Sequence, residues 1–387
     1  MKRLSACVCV VVTILVCGGA SSPRAGFAET TRWDPVIVWE GDAAFERVKV
    51  GRPDASDPLP QIVGVDQAGR MVLVHWNGGR SPRAEVVYEN HSEMTGLAIA
   101  DVDPAVPGEE IYAGAYEPGK DEVGGVVLQV SVDHGRSKVR RIFSPGAYVH
   151  TIEVVPPVAP GAATRLVIGT YAGEIHVLTP TAGDALWESR LIYRDPPLTD
   201  PQPKDPRPRI KDMALLRDPT GRPPHEVFAV FAGGRALAVD LDRPESAVIV
   251  AEENGGWGRT CADEGTGAYA CGYSGRVVRF RRDAAGAFAA DVLEQEGTDS
   301  GLRGVVMGRF PLPGCGTEIA PLAIFGFHAH CRALVRRNGA WDPVTLFTDT
   351  GRGHTLVAAD LVEGNDADEL VLSGYSKRIA VLVPVRE

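Results

Sequence analysis

Seven residues spaced about 44 to 61 positions apart form a set of unusual charge. Five of them are Lys, Arg or His, in a protein whose net charge is −10. The set is Phe45, Thr95, His150, Lys211, Arg259, Arg303 and His354. Cations brought together repel one another unless a ligand or nearby carboxylates compensate them, so the set indicates an anion site. Alternatively, each cation pairs with an acid such as Glu46, Asp212 or Asp263 and holds loops together.

A second periodic set, which follows the first along the chain, is almost entirely aromatic. Its members are Asp66, Tyr116, Tyr171, Phe231, Tyr273, Phe327 and Tyr375. Aromatic planes beside charged groups suit sugar rings, whose apolar C–H faces stack on them while carboxylates are hydrogen bonded. The predicted ligand is therefore an anionic oligosaccharide of the uronate type. Its predicted contacts are Lys211, Arg259, Arg303, Tyr116, Tyr171, Tyr273 and Tyr375. Packing between structural repeats is the alternative role of the aromatic set.

Binding is one of three functions that these residues allow. A polysaccharide lyase would need cations to neutralise the uronate carboxylate, and a base to remove the neighbouring proton in a β-elimination. His150 and His354 are the candidate catalytic residues. A protein-interaction scaffold without a small ligand is the third hypothesis, so the sequence leaves open whether the protein is an enzyme.

Histidine and cysteine residues suggest two further features. Five histidines map to the same predicted face and could bind a transition metal: His91, His150, His328, His330 and His354. Cys261 and Cys271 face each other across a predicted hairpin centred on Thr266, which indicates a disulfide.

These residues require a repeated element to bring them together. The chain contains 44 Gly and 29 Pro, a density typical of a turn-rich β protein. Each period reads as four short apolar strands, and the charged set begins the innermost ones, a pattern typical of propeller blades. The outer strand of the last repeat is missing at the C-terminus, but Pro35 to Trp39 matches the pattern of Pro343 to Phe347. The sequence predicts an all-β, seven-bladed β-propeller closed by pairing an N-terminal strand with the C-terminal blade.

The ends of the chain and one loop complete the predicted organisation. Residues 1–28 resemble an export signal, with Lys2 and Arg3 before an apolar run and a small-x-small site at its end. Lipoprotein processing at Cys17 is the alternative. Residues 29–387 then form one propeller domain outside the cytoplasm, periplasmic or secreted, with a lipid anchor as its only membrane contact. Six prolines between Asp195 and Arg209 predict a stiff loop on the pocket face.

The negative net charge of the chain disfavours nucleic acid as a partner. Residues 1–28 carry three basic residues and no acidic one, so without them the net charge of −10 becomes −13. Nucleic-acid binding requires a basic face, which this composition disfavours.

Two acidic turns carry a resemblance to known repeats. The first runs from Ala100 to Ile111 and reads ADVDPAVPGEEI; the second runs from Ala359 to Leu370 and reads ADLVEGNDADEL. Both resemble the FG-GAP and VCBS class of extracellular propellers, and the first is also similar to blades of family 11 rhamnogalacturonan lyases. In the FG-GAP and VCBS class such turns can hold calcium, so the resemblance implies a calcium site at Asp101, Asp103 and Glu109.

Overall fold

The structure, a computed structural model, describes residues 31–386 except for short gaps. The gaps are 77, 80, 104–105, 107, 117–123, 160, 182–185, 197–208, 219–223, 253–254, 284, 296–300, 314–317 and 365–366. The predicted export signal, most of the Pro-rich loop and Cys315 lie outside the described residues. Within them, no helix is long and apolar enough to cross a membrane.

Seven four-stranded antiparallel sheets make up the described chain. The innermost strands are β2 (Phe45–Gly51), β6 (Met94–Ala100), β10 (Val149–Val155), β14 (Ile210–Leu216), β18 (Trp257–Ala262), β22 (Leu302–Pro311) and β26 (Gly353–Ala359). The second strands are β3 (Gln61–Asp66), β7 (Glu110–Tyr116), β11 (Arg165–Thr170), β15 (Glu226–Phe231), β19 (Ala268–Gly272), β23 (Ile319–Gly326) and β27 (Glu369–Gly374).

The third strands and the outer strands complete each blade. The third strands are β4 (Arg70–His75), β8 (Gly125–Asp133), β12 (Glu174–Thr179), β16 (Arg235–Asp240), β20 (Arg276–Arg282), β24 (His330–Arg337) and β28 (Arg378–Arg386). The outer strands are β5 (Arg83–Glu89), β9 (Arg136–Phe143), β13 (Glu188–Arg194), β17 (Val248–Glu252), β21 (Phe288–Gln295), β25 (Ala340–Thr348) and β1 (Thr31–Glu40). A 3₁₀ helix, Pro244–Ser246, precedes β17. The predicted all-β, seven-bladed propeller is confirmed.

The seventh blade is assembled from both ends of the chain. Its order is β1-β28-β27-β26, so the outer strand comes from the N-terminal side. The pairing runs from Thr31 opposite Arg386 to Glu40 opposite Arg378. This closure was expected from the likeness of Pro35–Trp39 to Pro343–Phe347, and it is confirmed.

A β-bulge recurs in every outer strand. In each, one residue is skipped in the pairing with the third strand: Val38, Val87, Ile142, Ile192, Val250, Leu293 and Leu346. All are apolar, and six of the seven are buried. A bulge re-aims the side chain of its extra residue and increases the local twist. The bulges therefore turn an apolar side chain inward at the rim of each blade.

Apolar contacts join each blade to the next. One cluster, for example, combines Leu73 from β4 with Met94, Ile111 and Leu128 from the following blade, all nearly or fully buried. Trp33 makes the corresponding connection for β1. Its ring lies 6.5 Å from that of Phe310, and its Nε1 donates a hydrogen bond to the carbonyl oxygen of Pro311 at 2.9 Å. The closing strand is thus attached to the sixth blade as well as to β28.

The acidic turns are built around one buried glutamate each. Glu110 accepts hydrogen bonds from the backbone N–H groups of Val102 and Asp103, at 2.9 and 3.2 Å. Glu369 does the same for Leu361 and Val362, at 2.7 and 3.1 Å. Burial raises the pKa of Glu110 despite these hydrogen bonds. The glutamate at the start of the second strand therefore organises the turn that precedes it.

Replacing Trp33 tests the attachment of the closing strand. We expect Trp33→Ala to lower the free energy of unfolding by about 3–5 kcal/mol, because it removes a buried aromatic ring and leaves the Pro311 carbonyl without its donor. Chemical denaturation followed by circular dichroism measures the change. Ile37→Ala is the matched control: Ile37 lies on the same strand and is 37% exposed, so its loss costs much less. Equal costs for the two variants would contradict this account of the closure.

Candidate functional site

The inner strands share a second bulge, which lies at the mouth of the central channel. In each blade the pairing between the first two strands skips the residue that follows the first pair. The skipped residues are Glu46, Thr95 with Gly96, His150, Lys211, Gly258, Arg303 and His354. We call these positions the bulge ring. Five of the seven residues predicted from spacing belong to it.

Two predicted members of the charged set are displaced by one residue. Phe45 is fully buried and pairs with Asp66, so Glu46 occupies the ring position in the first blade. Arg259 pairs with Cys271, one step deeper in the channel, and Gly258 takes the ring position. The cause is the bulge itself, which inserts one residue that a spacing argument cannot detect. The first blade therefore contributes an acid to the ring.

The aromatic set forms a second ring around the first. In every blade a residue at the end of the second strand, or directly after it, donates its backbone N–H to the carbonyl oxygen of the residue two positions before the bulge. The donors are Gln67, Tyr116, Tyr171, Ala232, Tyr273, Phe327 and Tyr375, and the acceptors are Ala44, Glu93, Tyr148, Arg209, Gly256, Gly301 and Arg352. Asp66 and Phe231 were therefore placed one residue early. Phe231 instead packs in the core beside Tyr193, at 6.2 Å between ring centroids.

The positions two residues before each bulge residue also include mouth residues that the sequence argument missed. The missed residues are Tyr148, Arg209 and Arg352, which lie two positions before His150, Lys211 and His354. The repeat spacing that located the bulge residues would have located them as well.

The rings at the mouth pack against cations and against one another. The Arg209 guanidinium lies 4.5 Å from the centroid of the Tyr171 ring, and the Lys211 ammonium lies 5.3 Å from it. The rings of Tyr116 and Tyr148 are stacked at 3.6 Å. Tyr116 of the aromatic set therefore packs against Tyr148, which lies outside that set.

Arg303 has the most open environment of the cations in the bulge ring. Its guanidinium carbon lies 5.2 Å from the centroid of Tyr273 and 5.3 Å from that of Phe327. Arg352 lies over the same Phe327 ring at 5.1 Å. The Nε of Arg303 is buried and has no hydrogen-bond partner among the described residues. An arginine held by aromatic faces keeps its hydrogen-bond donors available for a ligand.

The positive potential at the mouth acts on a neighbouring tyrosine. Burial alone would raise the pKa of Tyr273, but Lys211, Arg303 and Arg259 outweigh burial and lower it. The same mouth contains an exposed aromatic ring, since Tyr375 leaves 42% of its surface in solvent. The mouth thus combines cations with an accessible aromatic face.

His150 is buried and fixed by its neighbours. Its Nδ1 lies 2.8 Å from the carbonyl oxygen of Lys211, so Nδ1 must donate. Its ring stacks on Tyr171 at 5.0 Å. Burial, followed by the charges of Lys211 and Arg259, lowers the pKa of His150 well below its ordinary value. His150 is therefore neutral at physiological pH, with Nε2 unprotonated.

His354 contacts Glu46 through both of its ring nitrogens. Its Nδ1 lies 3.0 Å from the Glu46 carbonyl oxygen, which can only accept, so Nδ1 carries a proton. Its Nε2 lies 3.2 Å from the Glu46 carboxylate. Burial and the charges of Arg303 and Arg259 lower the pKa of His354 well below its ordinary value, against a second proton on the ring.

Below the bulge ring, Asp212 links four blades. Its carboxylate accepts from the Arg47 guanidinium at 2.7 Å, from the Thr151 hydroxyl at 3.2 Å and from the Thr260 backbone N–H at 3.0 Å. Burial would raise the pKa of Asp212, but Arg47 and Arg259 outweigh burial and hold it below its usual value. Arg259 itself donates to the carbonyl oxygens of Lys211, Gly258 and Glu46 at 3.1–3.4 Å.

The alternative of acid pairing thus applies to some of the charged set. Glu46 contacts His354, and Asp212 holds Arg47, which the spacing argument did not include. Asp263 pairs instead with Arg279 at 3.1 Å and caps its own hairpin.

The predicted disulfide is not formed. Cys261, Cys271 and Cys331 are free thiols. Cys261 pairs with Tyr269 and Cys271 pairs with Arg259, so the two cysteines are diagonal neighbours and not a directly opposed pair. Diagonal side chains on adjacent strands lie too far apart for the short Cβ separation of a disulfide. The predicted hairpin centre, Thr266, was displaced from the true turn.

No metal cluster is found in the described part of the chain. No three His, Cys, Asp or Glu side chains there are arranged to hold an ion. Glu109 accepts a hydrogen bond from the Arg52 backbone N–H at 2.5 Å, and His330 Nδ1 lies 2.9 Å from the Thr348 hydroxyl. The calcium site at Asp101, Asp103 and Glu109 and the histidine-bound metal remain predictions without geometric support among these residues.

Comparison with known proteins identifies the fold only. No family model matches the chain, and no curated protein matches its sequence. Among solved structures, it is similar to the WD40 β-propeller domain of Doa1, with a TM-score of 0.56 and 12% identity. The alignment covers 92% of this chain and 96% of that one. The resemblances to FG-GAP repeats and to rhamnogalacturonan lyases are not shown by these comparisons.

The neutral, buried state of His150 makes stability depend on pH. Because its pKa is lower in the folded state, the unfolded chain binds more protons below about pH 6.5, and stability falls as the pH decreases. The expected loss is about 1.4 kcal/mol per pH unit between the folded pKa and 6.5. Denaturation at a series of pH values measures it.

A matched pair of variants isolates this contribution. His150→Asn retains a donor toward the Lys211 carbonyl but cannot titrate, so the pH dependence between 5 and 7 becomes shallower by about one proton. His91→Asn makes the same change at an exposed residue, whose side chain is 79% accessible, and controls for the substitution itself. An unchanged slope in His150→Asn would show that His150 is not held neutral by the fold.

Proposed function

We propose that this propeller binds an anionic ligand, of the uronate-type carbohydrate class, at the mouth of its central channel. The observation that carries the proposal is the environment of Arg303. Its guanidinium lies beside the rings of Tyr273 and Phe327, and its buried Nε has no hydrogen-bond partner among the described residues. A buried donor left without a partner costs about 1–3 kcal/mol, which a carboxylate ligand would recover.

The charge distribution around Arg303 supports an acidic ligand. Lys211 and Arg352 lie on the same mouth, and the charges of Lys211, Arg303 and Arg259 lower the pKa of Tyr273 despite its burial. The net charge of the whole chain is −10, so positive charge collected at one place is a local feature. Such a potential attracts anions and raises their association rate.

Exposed aromatic surface supports a carbohydrate among the anions. Tyr375 is 42% exposed, and its ring meets that of His354 edge-on at 5.8 Å. Phe327, between Arg303 and Arg352, is half-buried. A uronate has both a carboxylate for the arginines and an apolar C–H face for these rings.

The other two functions receive less support from the geometry. A lyase would use His150 as a base, yet burial and neighbouring cations lower its pKa, which weakens it for proton abstraction. A protein-interaction scaffold is compatible with the propeller fold and makes no demand on Arg303. A carbohydrate ligand of this class presupposes that the protein is exported. Export is predicted from residues 1–28 and stays a prediction.

Calorimetric titration with galacturonate oligomers tests the proposal. We expect binding to the wild type, and none with neutral galactose oligomers of equal length. Arg303→Gln should weaken binding about tenfold to a hundredfold, since a hydrogen bond to a charged group contributes about 1.5–3 kcal/mol. Arg83→Gln is the matched control, because it removes the same charge from the outer strand β5, where the side chain is 67% exposed.

Each outcome separates the hypotheses. Equal affinity for acidic and neutral oligomers, or unchanged binding in Arg303→Gln, would refute an anion site at Arg303. Ultraviolet absorbance of an unsaturated product during the titration, lost in His150→Ala, would establish the lyase. No binding to any oligomer, together with a protein partner that Arg303→Gln still captures, would establish the scaffold.

A further inference from the structure

A cavity of about 150 Å³ lies in the channel below the bulge ring. It is several times larger than the space that one water molecule needs. Residues from six of the seven blades line it, and its charged members are Arg47, Lys49, Glu153, Asp212 and Arg259. The lining therefore contains three cations and two carboxylates.

The two carboxylates do not neutralise all three cations. Asp212 accepts hydrogen bonds from Arg47, Thr151 and the Thr260 backbone. Glu153 approaches only Lys49, with a separation of 3.7 Å between the charged atoms. Burial raises the pKa of Glu153, which favours its neutral form further. Asp212 and Glu46 stabilise the charge of Arg259 electrostatically, but neither forms an ion pair with it, and the lining contains one cation more than it has carboxylates.

Arg259 is unusual for a buried arginine. It is 5% exposed and donates only to backbone carbonyl oxygens; no ion pair joins it to another described residue. Burial and the nearby Arg47 lower its pKa to about 10, so it still carries its charge at pH 7. A buried charge without an opposite charge is costly unless a ligand compensates it.

Both arginines also have an unused donor. The Nε atoms of Arg47 and Arg259 are buried and have no hydrogen-bond partner in the described residues, and both side chains line the cavity. Arg47 is 7% exposed, so solvent around the molecule does not satisfy it. A single small anion would accept hydrogen bonds from both buried N–H donors and balance the one excess positive charge.

We propose that the channel binds a small monovalent anion of the halide class in this cavity, between Arg47 and Arg259. Chloride is the biological candidate. The anion accepts from the two Nε–H groups and balances the charge of Arg259, and it thereby joins the first blade to the fifth. A water molecule could accept the same hydrogen bonds but would leave the charge uncompensated. This site is separate from the proposed function at Arg303.

Bromide identifies the site directly. Wild-type crystals soaked in sodium bromide should show an anomalous difference peak within hydrogen-bond distance of the Nε atoms of Arg47 and Arg259. Ordered density there without an anomalous signal would be water and would overturn the proposal. This measurement needs no variant, so it stays decisive even if replacing a buried arginine prevents folding.

Two variants then separate the cavity from the mouth. Arg259→Met, which keeps much of the side-chain volume, should lose the bromide peak. Arg303→Gln should keep the peak while binding galacturonate oligomers more weakly. Loss of the peak in Arg303→Gln, with retention in Arg259→Met, would place the anion at the mouth and refute a separate site.

Stability provides a solution measurement. An anion that binds only the folded state raises the thermal midpoint as its concentration increases. The midpoint of the wild type should rise with sodium bromide at constant ionic strength, with sodium fluoride, whose anion is more strongly hydrated, as the balancing salt. The rise should be absent in Arg259→Met. An equal rise in both proteins would indicate a general salt effect and an adventitious ion only.

Discussion

Hydrogen bonds between β1 and β28 join the two ends of the described chain and complete the seventh blade. Without this pairing the edge of β28 would be exposed, and exposed edges invite association with other chains. The closure also sets the circumference of the ring, because each blade packs its apolar face against two neighbours. Trp33 connects the closing strand to the sixth blade through its ring and its indole N–H. The channel dimensions at the centre follow from this closed arrangement.

Two sets of β-bulges, one at the rim and one at the channel, give the blades opposite polarity at their two edges. The outer bulges place apolar side chains such as Ile142 and Leu346 inward. The inner bulges place polar side chains such as Lys211 and His354 at the mouth. A regular strand alternates strictly between its two faces, so neither position could be reached without the extra residue. The bulges therefore convert a uniform repeat into a ring with a polar centre.

The polar centre has two levels with different electrostatics. At the mouth, Arg303 is held by aromatic faces, and Tyr375 remains accessible to solvent. Deeper in the channel, Asp212 ties Arg47 to the neighbouring strands through a set of short hydrogen bonds. The deeper level is part of the structure that keeps the blades in register. Both levels contain arginine Nε donors without a partner among the described residues, but the accessible ring of Tyr375 lies at the mouth, which is why the proposed carbohydrate belongs there.

The amino-acid sequence determined the architecture because its signals are local and repeated. Apolar runs such as Gln61–Asp66 and Glu226–Phe231 alternate with turn residues, and their bounds as strands agree with the structure. The likeness of Pro35–Trp39 to Pro343–Phe347 was enough to predict the closing strand. The same period located His150, Lys211 and Arg303 at the channel.

Only the tertiary structure decided which residues occupy the bulge ring and which side chains pair, because both depend on strand register and on contacts across the ring. A bulge shifts pairing by one residue, so Glu46 replaces Phe45 in the bulge ring. The turn after β18 is centred one residue before Thr266, so Cys261 lies opposite Tyr269 instead of Cys271. The partner of Arg47 is Asp212, which is distant in sequence and comes from another blade. Such a pairing has no local signature, because it depends on the closed geometry that brings inner strands together. The sequence thus determined which elements form, and the closed ring decided which charges meet.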